Sequence, residues 1–186
     1  MIIASAKRKE NIEEYLLYMW QIEDLIRAYG LDIDKIRENI IDRFPDLTEA
    51  QRREMTEWYE SLIEMMRSEG VEKSGHLQLN RNVLSSLVEL HQALLKDPKY
   101  ADYSAEFYKT LPAIVELRAK AGEAKSGEIE TCFNALYGML LMRLQQKTIT
   151  PETQDAIRQI SKFIALLSHY FKLNEEGKLF DEENKK

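Results

Sequence analysis

The stretch Glu128–Leu144, EIETCFNALYGMLLMRL, decides the fold, because it is apolar over more than half the circumference of a helix. At about 100° per residue, Ile129, Phe133, Leu136, Tyr137, Leu140 and Leu144 form one broad face, which Cys132, Met139 and Leu141 widen. A helix that apolar belongs inside a protein. The remaining sector holds Thr131, Ala135 and Gly138, small residues spaced so that a second helix backbone can approach closely. The segment is therefore expected to be a central helix packed on two or more sides, with the other helices as its shell.

Composition points the same way. Among 186 residues there are only 7 Gly and 4 Pro, and the 31% that are charged sit among Leu, Ile and Met, so helix formers dominate. An all-α protein with helix above about 60% is expected, well over the general base rate of roughly one-third. A chain of this length suits one domain burying roughly 70% of the surface exposed when unfolded. No composition break divides it, so residues 1–173 are read as a single domain and 174–186 as a charged, frayed tail in which Leu179 and Phe180 could dock.

Several function classes drop out. No apolar run approaches the roughly 20 residues of a membrane span, so no membrane is expected. The opening MIIASAKRKEN has too few apolar residues before Lys7, Arg8 and Lys9 to be a signal peptide, and a cytoplasmic location is expected. A single cysteine, Cys132, excludes an internal disulfide framework and a thiolate metal cage. The net charge of −6 argues against a surface built on phosphate contacts, so nucleic acid is not an expected partner.

Read in order, Asn11 and Glu14 form a capping-box-like start to a first helix that runs to Tyr29 and stops at Gly30. Ile33, Ile36, Ile40 and Phe44 mark a second helix of about three turns ending before Pro45. Thr48 and Gln51 start a third, carried by Met55, Trp58, Tyr59, Leu62, Ile63 and Met66 to Gly70. After the loop VEKSGH, a fourth is expected from a cap at Asn80 to just before Pro98. A fifth region, from Tyr100 to Leu117, contains Pro112, which should kink or split it, with Thr110 capping the second piece. GEAKSG (122–127) is a loop, and Thr150 and Pro151 open a last helix to Phe171. Short connections favour antiparallel neighbours, so a compact up-and-down bundle of six or seven helices is expected.

Charged residues inside apolar arcs are the candidates for chemistry. On the first helix Glu23 and Arg27 lie within the arc of Ile12, Tyr15, Leu16, Met19, Trp20, Ile22 and Ile26, four apart in the favourable order for an ion pair. Arg143 is similarly out of pattern on the 128–144 helix and could complete a cluster with Glu23. The plainer reading is a structural pair at the core boundary, with Arg143 snorkelling to water at a helix end. Tyr103, in a stripe with Tyr100, Phe107 and Tyr108, is a further ligand-binding candidate, although such stripes are commonly core.

His76, His91 and His169 match no metal-ligand spacing, so no metal and no cofactor is expected. Cys132, near a helix start, admits an activated thiol but reads more plainly as a small hydrophobe. No phosphate loop, nucleophile elbow or catalytic triad is present, and no catalytic residue is assigned. The leading expectation is a non-enzymatic helical interaction or regulatory module, partnered by another protein or by a second copy. The alternative is a small-molecule binder or enzyme with a polar pocket near Glu23, Arg27 and Arg143.

The run ENIEEYLLYMWQIEDLIRAYGLD (10–32), with Trp20, Gln21, Glu23 and Asp24 at its middle, resembles the N-terminal region of an uncharacterised family of bacterial domains of unknown function. The resemblance extends over most of the chain. It implies a small, soluble, all-helical bacterial protein, and brings no activity or catalytic residue with it.

Overall fold

Asn11 marks the first boundary in the chain. Its side-chain oxygen accepts from the backbone N–H of Glu13 and Glu14 at 2.9 and 3.3 Å, two of the donors a new helix leaves without partners. In the computed structural model, which describes residues 2–122 and 126–179, α1 (Ile2–Glu10) precedes this cap and α2 (Ile12–Ala28) follows it. Then come α3 (Ile33–Asn39), α4 (Glu49–Ser68), α5 (Gln78–Lys96), α6 (Ala101–Ala121), α7 (Glu128–Leu144) and α8 (Pro151–Glu175). Helix accounts for 80% of the described residues, and no strand occurs among them. The all-α class holds. The count is eight α-helices among the described residues rather than six or seven; the helix that the pattern does not announce is α1. Its support comes from docking on α2, where Ala4 is buried and the Arg8 guanidinium lies over the Tyr15 ring.

Three local expectations need correction. The second helix ends at Asn39; Ile40 leaves helical geometry, a 3₁₀ turn (Ile41–Arg43) follows, and Ile41 is buried while Phe44 is exposed. The fourth helix starts at Gln78, so Asn80 sits in its first turn instead of capping it. Helix α6 runs through Pro112 without a break, and the Thr110 hydroxyl donates to the Glu106 carbonyl instead of capping. Pro112 is tolerated because it faces outward, where the carbonyl deprived of a donor meets water.

The centre of the core also shifts. Helix α8 packs against α2, α5, α6 and α7, and its Ile160, Phe163, Ile164 and Leu167 have no exposed surface. Phe163 meets Tyr103 and Phe107 of α6 and His91 of α5 as neighbouring rings. Helix α7 is covered on several sides as far as Met139, but beyond it the cover ends and Leu144 is 68% exposed. The sector expected to receive a helix backbone is open at Gly138, where an added Cβ would meet nothing within 4 Å. Helices α3 and α4 pack on each other, and α4 also leans on α2.

At the C-terminal end, α8 passes residue 173 to reach Glu175, and the chain then returns to the core. Leu179 is buried, and its carbonyl accepts from the Tyr100 hydroxyl, so the described part of the tail, as far as residue 179, docks on the core. Residues 180–186 lie outside the described residues, as do 123–125 of the 122–127 loop. No helix among the described residues is long and apolar enough to cross a membrane.

Phe163→Ala should cost about 3–5 kcal/mol of stability, as aromatic truncation in a packed core does, whereas Leu144→Ala should stay within about 0.5 kcal/mol. Urea unfolding of the two variants measures this, and equal losses would contradict the uncovered end of α7. His91, bonded through Nδ1 to the Tyr103 hydroxyl at 2.7 Å, is held below its ordinary value of 6.5, chiefly by burial. The unfolded chain takes up that proton first, so the contribution of His91 is full above about pH 6.5 and declines as pH falls below it. The difference in melting temperature between the parent and His91→Gln should therefore shrink on acidification through that range.

Candidate functional site

Helix α5 begins without a local cap: the side chain of Leu77, at its N-cap position, has no acceptor to offer. Two carboxylates from elsewhere take that role. Glu69 accepts from the Gln78 N–H at 2.6 Å, and Glu23, on α2, accepts from the Leu77 N–H at 2.9 Å. Glu23 has no exposed surface. Its second oxygen lies 2.6 Å from His76 Nδ1, and the oxygen that meets Leu77 also accepts from the Asn80 side-chain amide at 2.6 Å. A buried carboxylate is costly unless fully hydrogen-bonded, and here three donors and the positive end of a helix surround it.

The ring of His76 lies flat on the indole of Trp20, with centroids 4.1 Å apart and planes inclined by 13°. Tyr137 of α7 meets that indole edge-on, and its hydroxyl donates to Asp24 at 2.6 Å. Burial first, and then this bond to a carboxylate, push the Tyr137 hydroxyl well above its ordinary value. The other Asp24 oxygen receives Arg27 at 2.8 Å. The remaining Arg27 donors close on the carbonyls of Val71 and Gly75. Glu23 and Arg27 thus fasten the segment 71–77 to α2 at two points.

Between this segment and α7 lies an open cleft of about 380 Å³, whose walls include Trp20, Asp24, Arg27, Lys73, His76 and Tyr137. Of the four candidates from the sequence, only Glu23 and Arg27 belong to this region, and they do not pair with each other. Arg143 is exposed near the end of α7 and joins neither. Tyr103 is buried among Phe107, His91 and Phe163, away from the cleft. Sequence reasoning missed His76 and the role of Asn80. The available signal was the absence of a capping side chain just before Gln78, which implies an acceptor from elsewhere.

Among the described residues, no group of three or more His, Cys, Asp or Glu side chains is placed to hold a metal ion. Cys132 is fully buried, and burial pushes its thiol far up, so the packed small hydrophobe is the reading its surroundings support.

Glu23→Ala should lower stability by about 3 kcal/mol, because two buried donors lose their acceptor at roughly 1–3 kcal/mol each. Replacing both Glu23 and Arg27 by leucine should not recover that loss, since the groups left unpaired are the Leu77 N–H and the Asn80 amide. Urea midpoints of the single and double variants test this; full recovery in the double variant would mean that Glu23 and Arg27 act as a pair.

No curated protein and no solved structure matches the chain. A family model does, over residues 1–178, and its description is "Domain of unknown function (DUF4924)". With nearly its whole length inside that match, the all-helical chain described above belongs to the DUF4924 family, a domain of unknown function.

Proposed function

We propose that this chain is a non-enzymatic helical interaction module that acts as a single domain in the cytoplasm and docks through the uncovered end of α7. The observation that carries this reading is the apolar character of that end. Leu140, Leu141 and Met142 are only partly covered, Leu144 is exposed, and Met142 also lines an apolar trough of about 310 Å³ together with Leu117, Ala135, Met139 and Ile157. Contiguous apolar surface on a monomer commonly marks an interaction site. The open side at Gly138 leaves room for a partner helix to approach the α7 backbone. Consecutive contacts from α5 through α8 support an up-and-down scaffold behind this surface.

The competing reading is a small-molecule binder or enzyme. It loses Arg143 and Tyr103 from its site but retains the cleft beside Glu23 and Arg27.

Light scattering across a concentration series distinguishes a second copy from a foreign partner. A dimer that Leu144→Glu abolishes, with no change in melting temperature, would identify the partner as a second copy. If the chain stays monomeric, a photocrosslinker at position 142 should capture one predominant protein in cells. Capture no greater than from the exposed position 158 would sink the reading.

A further inference from the structure

Helix α6 carries side chains of low polarity on two opposite faces. The inner stripe, Tyr103, Phe107, Thr110 and Ile114, is buried in a helix that packs on α5, α7 and α8. The outer stripe, Ala101, Ala105, Tyr108, Pro112, Val115 and Ala119, is exposed at every position, with Tyr108 at 63% and Val115 at 54%. Its steps alternate between four and three residues along nearly the whole 21-residue helix, about 30 Å. That alternation is the spacing of a coiled-coil seam. No charged residue interrupts the strip, whereas the outer face of α5 carries Arg81 and Glu89 and that of α8 carries Arg158 and Lys162. Helix propensity does not call for tyrosine, proline or valine at exposed positions. Single apolar residues are ordinary on a surface, but an unbroken strip of them along one helix marks an interaction face.

The charges along its edge identify the occupant. Lys109 and Glu116 flank the strip on one side, and both are exposed. The Lys109 ammonium has no ion-pair partner among the described residues, and Glu116 is engaged by Lys120 in an exposed pair. A two-fold axis across the helix sets two copies of the strip antiparallel. With Pro112 opposite the partner's Val115, Tyr108 falls opposite the partner's Ala119, and Lys109 lies beside the partner's Glu116, twice by symmetry. Sliding one copy by a heptad, so that Pro112 faces the partner's Tyr108, sets Lys109 against the partner's Lys109 and Asp102 against the partner's Glu116, both repulsive. Within the helix, a parallel pair brings no opposite charges together. We propose that the outer face of α6 binds a second copy of this chain, antiparallel, in the register that joins Lys109 to the partner's Glu116. Alanine at three of the six positions keeps the buried area small. Pro112 also leaves the Tyr108 carbonyl without its helical donor, so water stays at the middle of the seam. The dimer is therefore weak and reversible, with an interface below about 1,200 Å². This inference goes beyond the docking surface at the end of α7 and does not rest on it.

The test is sedimentation velocity of the full chain over a concentration series, in which a monomer–dimer equilibrium with a dissociation constant on the order of 10–100 μM is expected. Val115→Glu, at an exposed position, should leave the melting temperature unchanged and weaken association at least about tenfold, because it places a charge in the seam. Leu144→Glu should leave the dimer intact. Lys109→Glu and Glu116→Lys should each weaken association, since each sets like charges together at both symmetric contacts. An equimolar mixture of those two variants should form a heterodimer, in which both contacts are again opposite in sign. Both variants keep a net negative charge, so overall charge does not draw them together. A chain monomeric at every concentration would leave the strip to solvent or to a foreign helix. That outcome, a dimer that Val115→Glu spares, or a mixture that does not associate would each overturn the proposal. A dimer that Leu144→Glu abolishes and Val115→Glu spares would assign self-association to α7 instead.

Discussion

The arrangement of α2, the 71–77 segment and α5 depends on one carboxylate placed where a helix lacks its own cap. Helix α5 starts at a leucine that offers no acceptor, and Glu23 supplies one from 54 positions earlier in the chain. The positive end of the helix and three hydrogen bonds make the burial of that charge tolerable. Three elements are fixed by a single group: the face of α2 that carries it, the segment that ends in His76, and the first turn of α5 that presents Asn80. Arg27 adds a second fastening one turn along α2, on the carbonyls of Val71 and Gly75.

Around this joint the apolar core is centred on α8. Its buried stripe meets four helices, and the ring cluster of Tyr103, Phe107, His91 and Phe163 fills the space between α5, α6 and α8. Helix α7 is core along its first half and boundary along its second. Asn134 and Gly138, on its open side, line both the polar cleft and the apolar trough. One flank of one helix therefore borders the two surfaces from which function is argued, and at Gly138 that flank is open enough that an added Cβ would meet nothing within 4 Å.

Much of this was legible in the residues because local rules decide it. The Asn11, Thr48 and Thr150 caps lie where side-chain oxygens precede apolar periodicity, and all three accept bonds from the helices they start. The burial of Glu23 followed from its place between Met19 and Ile26 on one face. The partners of Glu23 did not follow. The nearest cation on the same helix is four residues away, but it turns to Asp24 and to a loop, while the actual donors are brought in by a chain reversal more than 50 residues on.

The sequence by itself determined helix class, most helix ends and which faces turn inward, because periodicity and capping act within a few residues. Only the tertiary structure decided that α8 rather than α7 occupies the centre, that α1 is a helix, and that the tail docks through Leu179. It also decided which donors reach Glu23. Apolar periodicity says how much of a helix must be covered but not by what, and a buried carboxylate states its need for donors without naming them. Both are met by groups distant in the chain, and their positions are set by the packing of all the helices together.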